Sequence, residues 1–393
     1  MNDKTSRATR TKLFAVAGLA ATGLLMAACA PSSAPAGAAA DPATLGISDE
    51  DYSLDALIAA AKKEGSLTVY DSTGKITDIA EAFTAKYGIK ATGVKMKAGE
   101  QLDVVSREAQ SKNVRGDVYL NTDVSAIEAE LVPQGYVVSW FPPDLKDQVP
   151  AQYQSPAVIT QEANVWAYNR ELADSCPVDN IWDLTDASWK GHLSFQDPLL
   201  KSDYMYWFNQ WATHADDKVA QAYEDKFGEP LNTDEDSATA EWVKRLAANE
   251  PLVTKSDDDA ATTAGAPGQN EQFLAFISTA KFRDNEDAGL KLGLCEGIEP
   301  FSGRAYQKAA VIASGTKSPN AAKLFVHYVF TAEGIAPQTA DGKFSTNSTV
   351  PAAADEPSGV GEIWDQIYQF DASTAKDDYE ALPDWQDFWQ VNS

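Results

Sequence analysis

An α/β fold in two domains is the expectation, and three features lead to it. From residue 54 onward, strand-like and helix-like runs alternate, separated by Gly, Pro or short polar turns. That is the pattern of a parallel sheet covered on both faces. The 393 residues exceed what a single hydrophobic core of ordinary size accommodates. The composition, 44% hydrophobic and 23% charged, is that of a globular chain rather than a disordered one or a membrane bundle.

The N-terminus comes first in chain order. Lys4, Arg7, Arg10 and Lys12 form a basic segment, and an uncharged run follows from Leu13 to Ala28. That run falls short of the roughly 20 residues a membrane-spanning helix needs and suits the apolar part of a signal peptide. It ends Leu25-Met26-Ala27-Ala28-Cys29, which resembles a bacterial lipobox. Residues 1–28 then read as a lipoprotein signal peptide, and Cys29 as the lipidated residue. Residues 29–48, rich in Ala, Pro and Ser, read as a flexible tether. The competing reading is a plain signal peptide with an incidental cysteine. Either way the remainder is extracytoplasmic. With lipid at Cys29 it is anchored to the cell membrane, on the outer face of the cytoplasmic membrane or in a periplasm. Cys176 and Cys295 remain, either as a disulfide, which such a compartment permits, or as two separate buried thiols.

Leu54, Leu57, Ile58 and Ala61 fall at helical spacing, and Gly65 stops that helix. The run 66–70, SLTVY, is strand-like. Asp71-Ser72-Thr73-Gly74-Lys75 is a polar turn before a helix with Ile79, Phe83 and Tyr87 on one face. After Gly88 come a second strand, a helix over 101–113, and a third strand, GDVYL at 116–120. That strand ends in Asn121-Thr122-Asp123, before a helix over 124–132. Two strand-like runs, 156–160 and 164–169, begin the crossover to the second domain. That domain is expected to hold helices near 203–214, 216–227 and 236–249, with strands near 193–195 and 273–277. The acidic and small-residue run 257–268 reads as a loop. AVIAS at 310–314 reads as a strand returning to the first domain, and 320–330 as a strongly apolar helix docked there. Trp364, Trp385 and Trp389 sit on helical segments of the tail.

Four stretches together resemble the solute-binding proteins of ABC importers, within the branch that includes ferric-iron and sugar-phosphate binders. They are 57–75 (LIAAAKKEGSLTVYDSTGK), 116–123 (GDVYLNTD), 167–191 with the following Asp197-Pro198, and 314–325 (SGTKSPNAAKLF) with Glu333-Gly334. The resemblance implies the two-lobed periplasmic binding protein type II fold, with a hinge of two or three crossover strands. It divides the chain into lobe 1 (49–158 and 308–393, with C-terminal helices that can bridge both lobes) and lobe 2 (159–307). It implies ligand capture by hinge closure and delivery to a permease driven by a cytoplasmic ATPase, with a monomeric binding protein that needs no cofactor or metal and carries no catalytic residue.

Charge limits the partners. With 32 Lys and Arg against 58 Asp and Glu, the net charge is −26, which repels nucleic acid and anionic lipid. A pocket can still be locally positive. In open α/β sheets, ligands sit beyond the carboxyl ends of parallel strands, where helix N-termini favour anions. That rule selects Ser72, Thr73, Gly74 and Lys75 after the first strand, and Thr122 and Asp123 after the third. In lobe 2 it selects Asp197, Ser202, Tyr204 and Ser256. Glu299 and Arg304, just before the returning strand, are separate candidates, Arg304 either reaching an anion or forming a surface salt bridge. Trp140, Trp166 and Trp207 are the tryptophans that a stacking site would use. Ferric members hold iron with adjacent tyrosines after a lobe 2 strand. Here that place reads Ser278-Thr279-Ala280-Lys281-Phe282-Arg283, without tyrosine. The stretches 297–306 and 341–347 resemble the sugar-phosphate members, so the ligand is read as a small anionic solute such as a sugar phosphate. The alternatives are ferric iron or an iron chelate, and, from another class, a secreted glycoside or phosphoester hydrolase. His192, His214 and His327 lie far apart, and neither G-x-S-x-G nor H-E-x-x-H occurs.

Overall fold

Ser53 caps the first helix, Leu54–Ala61, by accepting a hydrogen bond from the Ala56 N–H, and the chain then enters strand β1 (Ser66–Asp71). The computed structural model describes residues 45–393. The signal segment and Cys29 lie outside the described residues. Helix Ile76–Tyr87 follows β1 and buries Ile76, Ile79, Phe83 and Tyr87, the face its spacing predicts. Strand β2 (Lys90–Lys95) passes directly beneath that helix. A Cβ on Gly93 would lie 2.3 Å from the Ile76 carbonyl oxygen, so only glycine permits this approach. Helix Ala98–Ser111 leads to β3 (Val118–Asn121). β1 pairs in parallel with β2 on one side and β3 on the other. Beyond β3 the expected continuous helix is a short α-turn, Val124–Ala126, running into a π-turn, Ile127–Leu131.

A two-residue strand, β4 (Val137–Val138), precedes β5 (Ala157–Asn169). The two strand-like runs of the sequence are one 13-residue strand, in which every residue but Gln161 is buried. The second parallel set comprises β6 (Leu193–Gln196), β7 (Leu252–Thr254) and β8 (Leu274–Ser278), with β6 pairing both neighbours in parallel. Helices Asp203–His214, Asp216–Phe227 and Ala238–Ala248 cover it. Part of the expected loop 257–268 is a helix, Asp257–Gly265. Ser256 caps it, three aspartates occupy its first turn, and Ala260, Ala261 and Ala264 are buried. Negative charge at a helix N-terminus is stabilising, and small side chains let the helix lie close to the sheet.

Strand β9 (Leu292–Leu294) pairs with the end of β5. β10 (Gly303–Ala313) then returns, far longer than the AVIAS run alone. Helices Pro319–Val329 and Ala332–Thr339, strands β11 (Phe344–Ser345) and β12 (Ile367–Tyr368), and helix Ala375–Asn392 complete the chain.

The strands form a single sheet whose main path is β2-β1-β3-β10-β5-β8-β6-β7. β5 and β10 are antiparallel and span the junction between the two parallel sets. β3 ends with Asn121 opposite Ala309 of β10, and β8 ends with Ser278 opposite Asn164 of β5. The carboxyl ends of both sets therefore converge on the middle of the β5–β10 pair. The register shifts there, between Lys308 and Ala309, and β11 joins β5 at the same place. This is the two-lobed periplasmic binding protein type II fold, with three strands at the crossover.

Each set has its own core. Leu67, Val69, Phe83, Leu120, Ile312, Phe325 and Tyr328 pack in the first. Trp166, Trp182, Trp207, Trp211, Trp242, Phe276 and Trp389 pack in the second. Of these indoles, Trp182 and Trp242 donate to the Val219 and Ile181 carbonyls at 3.0 and 2.9 Å, whereas the ring nitrogens of Trp207 and Trp211 have no acceptor among the described residues. A disulfide joins Cys176 to Cys295 across 119 positions of sequence.

Candidate functional site

The convergent strand ends enclose a cleft of about 300 Å³, at the small end of the range for ligand pockets. Ser72, Thr73 and Gly74 line it beyond β1; Lys95, Lys97 and Gly99 beyond β2; Thr122 and Asp123 beyond β3. Gln196, Ser202, Ser256 and Ser278 line it from the second set, with Glu162 of β5 and Tyr306 of β10 between. Seven lining side chains are basic: Lys95, Lys97, Lys201, Lys255, Lys281, Arg283 and Lys343. Five are acidic: Asp123, Glu162, Asp203, Asp257 and Asp258. On a chain of net charge −26, the cleft is locally positive.

Those cations differ in how firmly they are held. Lys201 sits 3.9 Å from Asp203 and 3.6 Å from Asp257. Lys281 pairs with Asp258, and Arg283 with Asp341 at 2.9 Å. Lys95, Lys97 and Lys255 are exposed; none is within ion-pair distance of a carboxylate among the described residues. Helix Ala98–Ser111 has no side-chain cap at Lys97, and its first residues, Ala98 and Gly99, line the cleft. A helix start of this kind offers backbone N–H groups and a partial positive charge to an anion.

Beneath the cleft lies a buried charge network. Lys308, with no exposed side-chain surface, contacts Asp71 and Glu162 at 3.0 Å each. Lys343 lies 3.3 Å from Glu162. Gln338 bridges by accepting from both lysines and donating to Asp71 at 2.9 Å. The Tyr306 hydroxyl donates to Glu162 at 3.0 Å. Burial alone would raise the Glu162 carboxyl, but the charges of Lys308 and Lys343 outweigh it and hold the group at about 2. Burial would lower the Lys308 ammonium, and Asp71 and Glu162 reverse that and raise it. Lys343 stays low, at about 8: burial pushes it down and Lys308 adds repulsion, against the pull of Glu162.

Two further contacts fix the walls. The Asp123 carboxylate accepts from the Ser202 hydroxyl at 2.6 Å and the Tyr206 hydroxyl at 3.1 Å, linking the end of β3 to the second set. Burial raises its carboxyl despite these bonds. Asp203 forms a buried ion pair with Arg304, whose guanidinium lies against Tyr204, Trp207 and Tyr306 at 5.3–5.6 Å.

Of the residues the sequence selected, Ser72, Thr73, Gly74, Thr122, Asp123, Ser202 and Ser256 come together in the cleft lining. The others do not. Lys75 lies outside the lining and pairs with Asp341 at 3.7 Å. The Asp197 side chain caps the 3-10 turn after β6 through the Leu199 N–H. Tyr204 is a core residue, 1% exposed. Glu299 is exposed, and its backbone bonds to Asp179 and Ile181, away from the cleft. Arg304 is 2% exposed and stands behind Asp203. Trp140, Trp166 and Trp207 are all buried in the cores, so none offers a stacking face. Sequence reasoning missed Lys95, Lys97, Glu162, Lys255, Asp258 and Lys343. The signal for Lys95, Lys97 and Lys255 was present: each sits at or just after the carboxyl end of a parallel strand. Glu162 carries no such mark, and Lys343 only the resemblance of its stretch 341–347, because β5, β10 and the 343 segment meet only in three dimensions.

The family model described as bacterial extracellular solute-binding protein matches residues 67–342. A search of curated proteins finds no match. Among solved structures, iron-bound HitA from Pseudomonas aeruginosa is similar with a TM-score of 0.63 and 18% identity, over 82% of this chain and 99% of that one. AfuA from Actinobacillus pleuropneumoniae, with fructose-6-phosphate bound, gives 0.61 and 19%, over 83% and 99%. AgtB from A. tumefaciens R10, in complex with agropinic acid, gives 0.58 and 17%, over 83% and 99%.

Proposed function

This chain belongs to the bacterial extracellular solute-binding protein family, and from that premise we propose that it captures a small anionic solute for an ABC importer. The observation that carries the reading is the cleft's surplus of basic side chains, seven against five acidic, on a strongly acidic chain. Ser72, Thr73 and the start of helix Ala98–Ser111 supply neutral donors. A phosphate or carboxylate group suits such a set, because charge-assisted hydrogen bonds from lysine and helix N–H groups favour it. AfuA and AgtB, bound to fructose-6-phosphate and agropinic acid, show that this fold accommodates organic solutes of that size. HitA is iron-bound. In this cleft the one lining tyrosine, Tyr306, is committed to Glu162, and the basic surplus opposes a bare trivalent cation.

Capture works by hinge closure. Lobe 1 is taken as 49–158 with 308–393, and lobe 2 as 159–307. The last helix of lobe 1, Ala375–Asn392, bridges to lobe 2 through Trp389 and through Asp378 with Asn209 and Gln210. β5 and β10 cross between the lobes, and β11 joins β5 at that crossing. Solute that touches both lobes stabilises the closed arrangement, and only that differential contact shifts the equilibrium. The closed protein then docks on a permease. It acts as a monomer, performs no chemistry itself, and is held to the membrane by lipid on Cys29. Native mass spectrometry of protein extracted gently from its own membrane tests the anchor and the solute class together. The expected result is a chain beginning at Cys29 with a lipid increment and a non-covalent organic anion. Bound iron without an organic anion would refute the solute class, and a chain still starting at Met1 would refute the anchor.

A further inference from the structure

The turn Asp341-Gly342-Lys343 lies immediately before β11, where the sheet crosses between the two parallel sets. Asp341, 3% exposed, pairs with Arg283 beyond β8 and Lys75 beyond β1. Gly342 has φ +78, and a Cβ there would lie 2.4 Å from the Glu356 Oε2 atom. Its carbonyl accepts from the Thr279 hydroxyl at 3.4 Å. The turn is thus fixed from both sides, and glycine is required at its centre.

Lys343 follows with 5% of its side chain exposed, and that remnant faces the cleft. It shares Glu162 with Lys308, which is closer (3.0 against 3.3 Å) and has no exposed surface. The Tyr306 hydroxyl also serves Glu162, at 3.0 Å. Glu162 therefore keeps Lys308, Tyr306 and the Thr160 hydroxyl at 3.4 Å if Lys343 departs. Nothing comparable holds for Lys308, which is enclosed on all sides.

We propose that Lys343 is a specificity-determining contact: its ammonium leaves Glu162 for the anionic group of the solute, while Lys308 and Tyr306 hold Glu162 in place. This rests on the anionic-solute reading above. A cation in so dry a position forms a stronger bond to an anion than the exposed Lys95 or Lys97 can. Lys343 also shares its turn with Asp341, so occupancy of the cleft floor reaches Lys75 on one side and Arg283 on the other.

Lys343 meets Glu162 on β5 and Gln338 on helix Ala332–Thr339, at 3.3 Å each, and lies in the field of Lys308 on β10 and Asp71 on β1. Burial, with Lys308 adding repulsion, places its proton loss at about 8. A sugar phosphate is already dianionic there, its second pKa being about 6.

Calorimetric titration with fructose 6-phosphate and with citrate, from about pH 7 to about pH 9.5, tests the assignment. The wild-type protein is expected to bind one of them, with affinity falling up to about tenfold per pH unit above about pH 8. Lys343→Gln is expected to bind at least about tenfold more weakly at pH 7, without that fall. Lys343→Arg, which stays charged, is expected to bind with a flat profile, and decides the matter if the Gln variant fails to fold. A wild-type slope retained in the variants overturns the assignment and leaves the anionic reading standing. Binding of neither probe by the wild type overturns both.

Discussion

Arg304 shows how a side chain near the cleft in sequence can be remote from solute. It follows the cis Glu299–Pro300 segment and opens β10, a place where an anion-binding arginine is plausible from sequence. Its guanidinium instead neutralises Asp203 from behind and lies against three aromatic rings. The sequence conveyed the polar strand-end residues Ser72, Thr73, Thr122 and Ser202, because a rule ties them to the carboxyl ends of parallel strands. It could not convey the Arg304–Asp203 or Lys343–Glu162 pairs, whose partners lie 101 and 181 positions apart. A buried carboxylate that loses its closest cation, keeping only Lys201 at 3.9 Å, is costly. Arg304→Met should therefore lower unfolding stability by about 3–5 kcal/mol in a urea titration. A loss under about 1 kcal/mol would show that Asp203 does not depend on Arg304.

Among the elements, periodic helices were the most legible. Ile79, Phe83 and Tyr87, or the apolar run before Val329, declare a buried face at a spacing of three and four. Boundaries were less legible. β5 looked like two strands because Gln161 and Glu162 interrupt its apolar run, yet that interruption is where the cleft floor needs its charge. Helix Asp257–Gly265 looked like a loop because alanine and threonine present little apolar signal, although its Ser256 cap was visible. The Cys176–Cys295 pairing was undecidable from spacing, since joining them depends on β9 lying beside β5. That bond closes a long segment containing most of the second set. Replacing both cysteines by serine should cost about 2–4 kcal/mol, seen as a lower urea midpoint with a somewhat steeper slope, because the unfolded chain loses its cross-link and expands. An unchanged midpoint would mean that the aromatic core alone orders this part.

Across the whole molecule, acidity and anion capture are compatible because the charges are segregated. The surface carries the excess of carboxylates, while the converging strand ends gather lysines around backbone N–H groups. The proposed closure would turn about β5 and β10, the strands the two parallel sets share, whose register shifts at Lys308. Contacts such as Asp123 with Ser202 and Tyr206 join the two sets directly. Motion and capture should therefore be one event. Spin labels at the exposed positions Glu81 and Gln221, one on each set, would report it by pulsed electron resonance. Adding the bound organic anion should shorten and narrow the distance distribution relative to protein stripped of solute. The same distribution with and without that anion would contradict capture by closure.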